Sequence, residues 1–163
     1  MATIINTLLD LVRGWQRSQQ ERDPLAGRTT TRVEPHTRRV GDGVRIEYSP
    51  DLDGDADPGE VVWAWVPFRE DQNRGKDRPV VIVGRVGEDL AGVPLTSKRK
   101  GRDDHVPVGT GSWDSKRRDS WAKVDRLLTI DPADVRREGA VLARDRFDDV
   151  VSNLRRYHDI AGR

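Results

Sequence analysis

No cysteine occurs among the 163 residues of the sequence. Its absence excludes disulfides, thiolate zinc sites and cysteine nucleophiles, and it suits a reducing compartment. The sequence also has little net charge, because 29 Lys and Arg face 28 Asp and Glu, for a formal net charge of +1. Overall charge therefore identifies no partner, and only local clusters of charge can do so.

Long apolar runs are missing as well. No stretch approaches the roughly 18 apolar residues that a membrane-spanning helix needs. The opening MATIINTLLDLVRGW has no basic region ahead of its short apolar run. We therefore predict a soluble, cytoplasmic protein with no signal peptide and no membrane partner.

The first 57 residues show two patterns. Over residues 1–22, apolar side chains recur at three- and four-residue spacing, which predicts an N-terminal amphipathic helix. Residues 23–57 are polar and rich in Pro and Gly, with basic residues followed by acidic ones, which predicts a linker. The apolar stripe of the predicted helix consists of Ile4, Ile5, Leu8, Leu11, Val12 and Trp15.

The acidic stretch DLDGDADPGE has some features of a calcium loop. An EF-hand requires a glycine at the sixth position of the loop and a bidentate carboxylate at the twelfth. Counted from Asp51, the glycine is Gly54, in fourth place, and the twelfth residue is Val62. We interpret the stretch as an acidic turn that leads into the first barrel strand, with Gly59 and Glu60 as its hinge.

From residue 58 to residue 163, short β-rich runs alternate with turn residues. Such runs, separated by Gly, Pro and Asp, predict a small antiparallel β-barrel. Asp131 and Pro132 then match a helix start, and a longer helix follows. The predicted fold class is mostly β with α, with one barrel domain over 58–163 and C-terminal helices, preceded by the N-terminal helix and linker. The predicted strands are EVVWAWVPF, RPVVIVGR, GVPLTS, DHVPVG and SWAKVDRLLTI.

Several polar residues on these strands are candidates for a functional site. Arg78 stands before a proline and a buried-looking strand, and Thr96 ends another strand. On the late strand, alternation places Lys123 and Asp125 on one face. Each residue has a plain alternative role. Arg78 can pair with a nearby carboxylate, and Thr96 can be present because threonine favours β-strands. Lys123 can pair with Asp125 on a solvated face.

The segments GEVVW, RPVVIV, VPLTS and LLTID, in this order, resemble the PemK/MazF toxins of bacterial toxin–antitoxin pairs. The resemblance implies an SH3-like barrel, a homodimer, a cognate antitoxin, and metal-free, cofactor-free, sequence-selective cleavage of single-stranded RNA (mRNA, rRNA or tRNA). It also implies attack by the 2′-hydroxyl, which leaves a cyclic phosphate and a 5′-hydroxyl. The family's catalytic positions correspond to Arg78 and Thr96. Members that add a basic residue and an aspartate on the late strand match Lys123 and Asp125.

These residue types suit internal attack on a phosphodiester. Arg78 stays protonated and offers a fork of donors to phosphate oxygens, so its expected role is charge stabilisation. Asp125 is the candidate general base, and Thr96 is a candidate hydrogen-bond donor or orienting group. His105 can titrate near neutrality. Because nothing in the sequence pairs with it, we interpret it as a surface residue.

Two basic loops suit an RNA track. One is SKRKGR, and the other is SWDSKRRDSW, whose cations lie between two tryptophans. Cationic loops beside aromatic rings bind phosphates and stack unpaired bases, although a charge run is often only a solvated loop. The predicted RNA-binding residues are Lys76, Lys98, Arg99, Lys116, Arg117 and Lys123.

Three hypotheses follow from different classes of protein. The first is the toxin endoribonuclease. The second is a non-catalytic SH3-like barrel that binds nucleic acid or a partner peptide. The third is a calcium-responsive module built on the acidic turn. The resemblance leaves residues 1–57 uncovered, and Lys123 stands where arginine is common, which weakens the expected bidentate grip on phosphate.

Overall fold

The computed structural model of the protein describes residues 43–160, with the side chains of residues 137–139 excepted. The predicted helix over residues 1–22, most of the predicted linker and Gly162 lie outside the described residues. No helix in the described part of the chain is long and apolar enough to cross a membrane.

The described chain is mostly strand, with a single α-helix at its C-terminal end. Runs of β-branched residues form the two inner strands, β2 and β3, as their β-propensity favours. In chain order the elements are β1 Val44–Ile46, β2 Glu60–Pro67, β3 Gly75–Val86, β4 Asp89–Thr96, β5 His105–Gly109, β6 Ser120–Lys123, β7 Leu128–Ile130, a 3-10 turn Pro132–Asp134, β8 Arg136–Val141 and α1 Arg144–Tyr157.

All the strand pairings are antiparallel, and they build one strongly curled sheet. The strand order is β5-β6-β4-β3-β2-β8, while β1 also pairs with β3 and β7 also pairs with β4. The 12-residue β3 therefore pairs with β2, β4 and β1 along its length. The sheet bends where the register shifts between Ile82 and Gly84. The predicted fold class, mostly antiparallel β with a C-terminal helix, is confirmed.

Two apolar clusters occupy opposite faces of the sheet, because successive side chains of a strand alternate between its faces. The larger cluster packs the sheet against α1, whose buried residues follow helical spacing. The smaller cluster lies on the other face of the sheet. From α1 the larger cluster takes Phe147, Val150, Val151 and Leu154, and the smaller one contains Val62, Ala64, Val66, Val80, Ile82, Leu90, Leu128 and Ile130.

The acidic turn is attached to the sheet through its last residues. Gly59 has φ +102°, and a Cβ there would lie 2.9 Å from the ring of Tyr48, so the position favours glycine. The Tyr48 hydroxyl in turn donates to the Leu142 carbonyl at 2.9 Å. Asp57 pairs with Arg85 at 2.8 Å, so at least one carboxylate of the turn is neutralised within the domain.

Three details differ from the sequence-based expectations. The segment SWAKVDRLLTI is not one strand, because a turn at Val124 and Asp125 separates β6 from β7. Asp131 caps the next element as predicted, its side chain accepting from the Ala133 N–H at 2.8 Å, but that element is a single 3-10 turn. The chain then forms β8, which was not predicted and which pairs with β2.

Candidate functional site

A polar cleft of about 560 Å³ opens at the starts of β3 and β5 and the ends of β4 and β6. Side chains alternate between the two faces of a strand, so Arg78 lies on the same face of β3 as Val80, and Thr96 lies on the same face of β4 as Pro94. The face that carries the smaller apolar cluster therefore continues into the cleft. Eight lysines and arginines and five carboxylates line the cleft. The basic residues are Arg69, Lys76, Arg78, Lys98, Lys100, Arg102, Arg118 and Lys123, and the acidic ones are Glu70, Asp77, Asp104, Asp114 and Asp125.

Arg78 lies half-buried in the cleft. The nearest carboxylate in sequence, Asp77, is paired with Arg136 at 2.9 Å. Within the described residues, Arg78 itself makes no ion pair or hydrogen bond, so the plain alternative of a structural ion pair fails. Burial lowers the pKa of Arg78, as expected for a cation with restricted access to water. Its guanidinium is therefore available to an anion that enters the cleft.

Lys76 lies close enough to Arg78 and to Lys98 for both charges to act on it. The charge of Arg78 lowers the pKa of Lys76, and burial and the charge of Lys98 lower it further. Lys76 and Lys98 are themselves exposed. Three like charges brought together in this way repel one another, and a bound anion would relieve the repulsion.

Thr96 ends β4 on the same side of the cleft. Its Oγ1 accepts a hydrogen bond from the Lys98 backbone N–H at 3.2 Å. That contact uses a lone pair of the oxygen and leaves the hydroxyl hydrogen available, since a threonine hydroxyl is both donor and acceptor. Thr96 can thus donate a hydrogen bond into the cleft while its oxygen accepts from the Lys98 backbone N–H.

Lys123 and Asp125 both line the cleft, although β6 ends between them. The predicted alternation persists through the turn, because Ala122 and Val124 are fully buried on the opposite side. Burial lowers the pKa of Lys123. The charge of Asp125 raises it, whereas the charges of the arginines Arg69, Arg78 and Arg126 lower it.

The Asp125 carboxylate is held by a residue of the β2–β3 loop. Its Oδ2 accepts from Arg69 Nη2 at 2.6 Å. Its Oδ1 is buried and has no hydrogen-bond donor within residues 43–160. A buried carboxylate oxygen without a donor is a costly feature that often marks a functional group.

His105 was predicted to be a surface residue, and this prediction is wrong. Its side chain is only 3% exposed, and its Nδ1 lies 2.8 Å from Asp104 Oδ1. The residue lines the cleft and lies directly opposite Lys123 in the pairing of β5 with β6. Only the pattern of adjacent acidic residue and histidine, Asp104-His105, signalled this pair in the sequence.

Only some of the basic residues predicted to bind RNA line the cleft. Lys98 lines the cleft, but its neighbour Arg99 does not, and neither do Lys116 and Arg117. One of the two tryptophans that flank the second loop, Trp113, is buried in the larger cluster with its Nε1 donating to Ser120 Oγ at 3.1 Å, so it offers no exposed ring for stacking. Arg102 and Arg118, which belong to the two basic loops, also line the cleft, whereas sequence reasoning missed Arg69, which reaches the cleft from the loop between β2 and β3.

The acidic turn does not contribute to this site. Within residues 43–160, no three His, Asp or Glu side chains converge in a way that would hold a metal ion. Asp53 Oδ1 accepts from the Asp55 backbone N–H at 3.0 Å, which is a local turn contact.

The fold and the cleft together define a small curled β domain with a polar, mostly basic cleft at the strand ends. The model of the family of PemK-like, MazF-like toxins of type II toxin–antitoxin systems matches residues 57–158. The chain belongs to this family.

Several solved structures are similar to part of this chain. The toxin MazF-mt6 of Mycobacterium tuberculosis is 19% identical over 63% of this chain and 99% of its own, with a TM-score of 0.46. MazF of Deinococcus radiodurans is 19% identical over 63% of this chain and 94% of its own, with a TM-score of 0.48. An endoribonuclease from a mycobacterial species is 14% identical over 69% of this chain and 100% of its own, with a TM-score of 0.46. No curated protein sequence matches this chain significantly.

Proposed function

We propose that this protein is the toxin of a type II toxin–antitoxin system and acts in the cytoplasm as a metal-independent, sequence-selective endoribonuclease on single-stranded RNA. The observation that carries the proposal is the cleft, in which the guanidinium of Arg78, with no ion pair among residues 43–160, lies with Thr96, Lys123 and Asp125. Family membership supplies the reaction class, and the cleft supplies the groups that such a reaction needs.

The proposed reaction is transesterification. Asp125 removes the proton of the 2′-hydroxyl, whose oxygen forms a bond to phosphorus as the bond from phosphorus to the 5′-oxygen breaks. The products are a 2′,3′-cyclic phosphate and a 5′-hydroxyl, once the leaving oxygen has gained a proton. Charge builds on the non-bridging oxygens, which Arg78 and Lys123 stabilise, while Thr96 donates a hydrogen bond to one of them.

The RNA backbone is proposed to run along the exposed lysines at the mouth of the cleft. Lys76 and Lys98 are exposed, and the charges of Arg78 and Lys98 both act on Lys76, so the two lysines can contact phosphates that flank the scissile one. Trp63 also lines the cleft, and its buried Nε1 has no acceptor within the described residues. A base carbonyl can accept from this group, which is one source of sequence selectivity.

We further propose two protein partners. The family is that of toxins in two-component systems, so a cognate antitoxin is the expected partner, and a second copy of the chain is expected to form a homodimer. The exposed rings of Trp65 and Tyr157, each 42% exposed, are available for such contacts.

The test is cleavage of a long single-stranded RNA by the purified protein in EDTA, with the ends of the products mapped. The wild type is expected to cut at a defined sequence and to leave 5′-hydroxyl ends, while Arg78→Ala is expected to leave the RNA intact. Cutting that requires added divalent metal, or that leaves 5′-phosphate ends, would contradict the proposed chemistry.

A catalytically inactive wild type would favour the alternative of a non-catalytic barrel. In that case the folded protein binds RNA without cutting any of several RNAs, and Thr96→Ala leaves binding unchanged. Cutting by the wild type alone, with Arg78→Ala folded and inactive, excludes this alternative.

A further inference from the structure

The Asp104-His105 pair lies at the floor of the cleft and has no role in the reaction as described so far. Both side chains are almost fully buried, at 7% and 3% exposed. His105 Nδ1 and Asp104 Oδ1 are 2.8 Å apart, and the same oxygen forms an ion pair with Arg102, whose Nε lies 3.3 Å away. Burying a histidine and a carboxylate costs free energy unless the two groups are paired, so each of these side chains depends on the other for its buried position.

The contact to Asp104 fixes which nitrogen of His105 is free. An ionised carboxylate only accepts hydrogen bonds, so Nδ1 carries a hydrogen. Within the described residues, Nε2 has no hydrogen-bond partner, although the residue lines the cleft. Nε2 is therefore the atom that can exchange a proton with a ligand in the cleft.

The charge of Asp104 follows from its contacts. Burial raises the pKa of Asp104. Its hydrogen bond from His105 and the charges of His105 and Arg102 outweigh burial, so the pKa falls below its ordinary value. Asp104 is thus anionic at neutral pH, and its carboxylate fixes the orientation of the His105 ring through Nδ1.

We propose that His105 is the general acid of the reaction, which protonates the leaving 5′-oxygen, and that Asp104 is its positioning residue. The inference deepens the proposed function and rests on it. His105 faces Lys123 across the β5–β6 pairing, and the Asp104 backbone carbonyl accepts from the N–H of Val124, the neighbour of Asp125, at 3.0 Å, so the acid and the base belong to one part of the cleft.

The other cleft residues are less suited to this step. Asp125 is an anion that accepts a proton, and Arg78 does not release one near neutrality. As the bond from phosphorus to the 5′-oxygen breaks, the proton on His105 Nε2 moves to that oxygen, and the neutral imidazole is reprotonated from water. With the 2′-hydroxyl proton on Asp125, protons and charge balance over the step. Lys123 is the competing donor, and the test separates the two.

The test compares two substrates and three variants. The first substrate is a short RNA with one scissile phosphodiester. The second has sulfur in place of the 5′-bridging oxygen at that bond, so that its leaving group is a thiolate, which needs no proton from the enzyme because a thiol has a pKa of about 8.5. The variants are His105→Ala, Lys123→Ala and His105→Asn, whose amide N–H preserves the donation to Asp104 but cannot act as an acid.

The expected result is a difference between the substrates. His105→Asn and His105→Ala slow cleavage of the oxygen substrate by about 100-fold or more, which is the usual effect of losing a general acid. The same variants slow cleavage of the sulfur substrate by less than about tenfold, since its leaving group departs unaided. Lys123→Ala is expected to slow both substrates alike, because its charge acts on the non-bridging oxygens. A further variant, Asp104→Asn, tests the positioning residue and should slow cleavage of the oxygen substrate less than His105→Asn does.

Each outcome bears on one proposal only. If the wild type cuts neither substrate, the proposed ribonuclease is wrong. If the wild type cuts both and His105→Asn is slowed equally on both, His105 is only structural and the inference is overturned. The inference also fails if His105→Asn cuts the oxygen substrate at the wild-type rate, or if the sulfur substrate rescues Lys123→Ala instead.

Discussion

Arg69 and Asp125 form an ion pair in which Arg69 Nη2 lies 2.6 Å from Asp125 Oδ2. The contact joins the β2–β3 loop to the turn after β6, two segments 56 residues apart. Arg69 also lies near enough to Lys123 for its charge to lower the pKa of that lysine. The loop is therefore attached to the cleft at the residue proposed as the general base.

The stabilising effect of this ion pair is expected to be modest. The Arg69 side chain is 53% exposed, so water screens the interaction, and a coupling free energy of about 1 kcal/mol or less is expected. Urea unfolding of the wild type, Arg69→Ala, Asp125→Ala and the double variant measures this coupling. A value above about 3 kcal/mol would mean that the pair behaves as a buried one. The pair Arg144–Asp148 on α1 is an exposed comparison.

Arg78→Ala is predicted to remove activity without unfolding the protein. Because Arg78 has no ion pair within the described residues, its loss strands no buried charge. Loss of a donor to the developing charge should lower kcat by about 10²–10³-fold. Arg78→Lys should recover only part of this, since lysine lacks the bidentate fork. Single-turnover cleavage together with thermal unfolding tests both statements.

The matched control for Arg78 is an arginine outside the cleft. Arg146 is exposed on α1 and does not line the cleft. Arg146→Ala should cleave at the wild-type rate. Equal losses in the two variants would indicate a general effect of reduced charge and would argue against a role for Arg78 in the transition state.

The basic residues predicted to bind RNA should fall into two groups. Lys98 lines the cleft, and Lys116 is exposed outside it. Each phosphate contact to single-stranded RNA contributes about 0.7 to the slope of log affinity against log salt concentration. Lys98→Ala should therefore reduce the slope by about 0.7, while Lys116→Ala should leave it unchanged. Anisotropy of a labelled 2′-O-methyl RNA, which cannot be cut, from about 50 to 200 mM salt measures both slopes. Equal slopes for the two variants would contradict a cleft-bound backbone.

The predictions from sequence that succeeded rest on local patterns. The alternation of Lys123 and Asp125 with buried Ala122 and Val124 was read correctly even though the strand breaks, because the turn preserves which side each residue faces. The Asp131 cap was predictable for the same reason, because its side chain accepts from the backbone N–H of Ala133, only two residues along the chain. Patterns of this range are encoded in the sequence itself.

The features that were missed depend on contacts made by the folded chain. The sequence RREGAV of β8 lacks alternation and became a strand by pairing with β2, including a register shift between Val61 and Trp63. The burial of His105 follows from the position of β5 beside β6, which puts it opposite Lys123. Neither the pairing nor the depth of the cleft can be read from residue spacing.

The last prediction concerns the dependence of stability on pH through His158, which follows the end of α1. Its Nε2 lies 2.8 Å from the Val124 carbonyl, so the ring docks the helix end on the turn that carries Asp125. Burial lowers the pKa of His158. The hydrogen bond to Val124 and the charge of Asp125 raise it, and the charge of Arg69 lowers it, leaving the pKa below the ordinary value of 6.5.

The sign follows from proton binding. As pH falls below about 6.5, the unfolded chain takes up a proton on His158 more readily than the folded chain does. The free energy of unfolding therefore decreases as the pH falls from about 6.5 to the lower pKa of His158 in the folded protein. His158→Gln keeps an N–H for the Val124 carbonyl but does not titrate. Urea midpoints at about pH 7.5 and about pH 5.5 should fall less for this variant than for the wild type. Asp104 and Asp114, with pKa values below 3.8, lose their contributions only at lower pH. Equal falls in the two proteins would show that His158 does not titrate differently on folding.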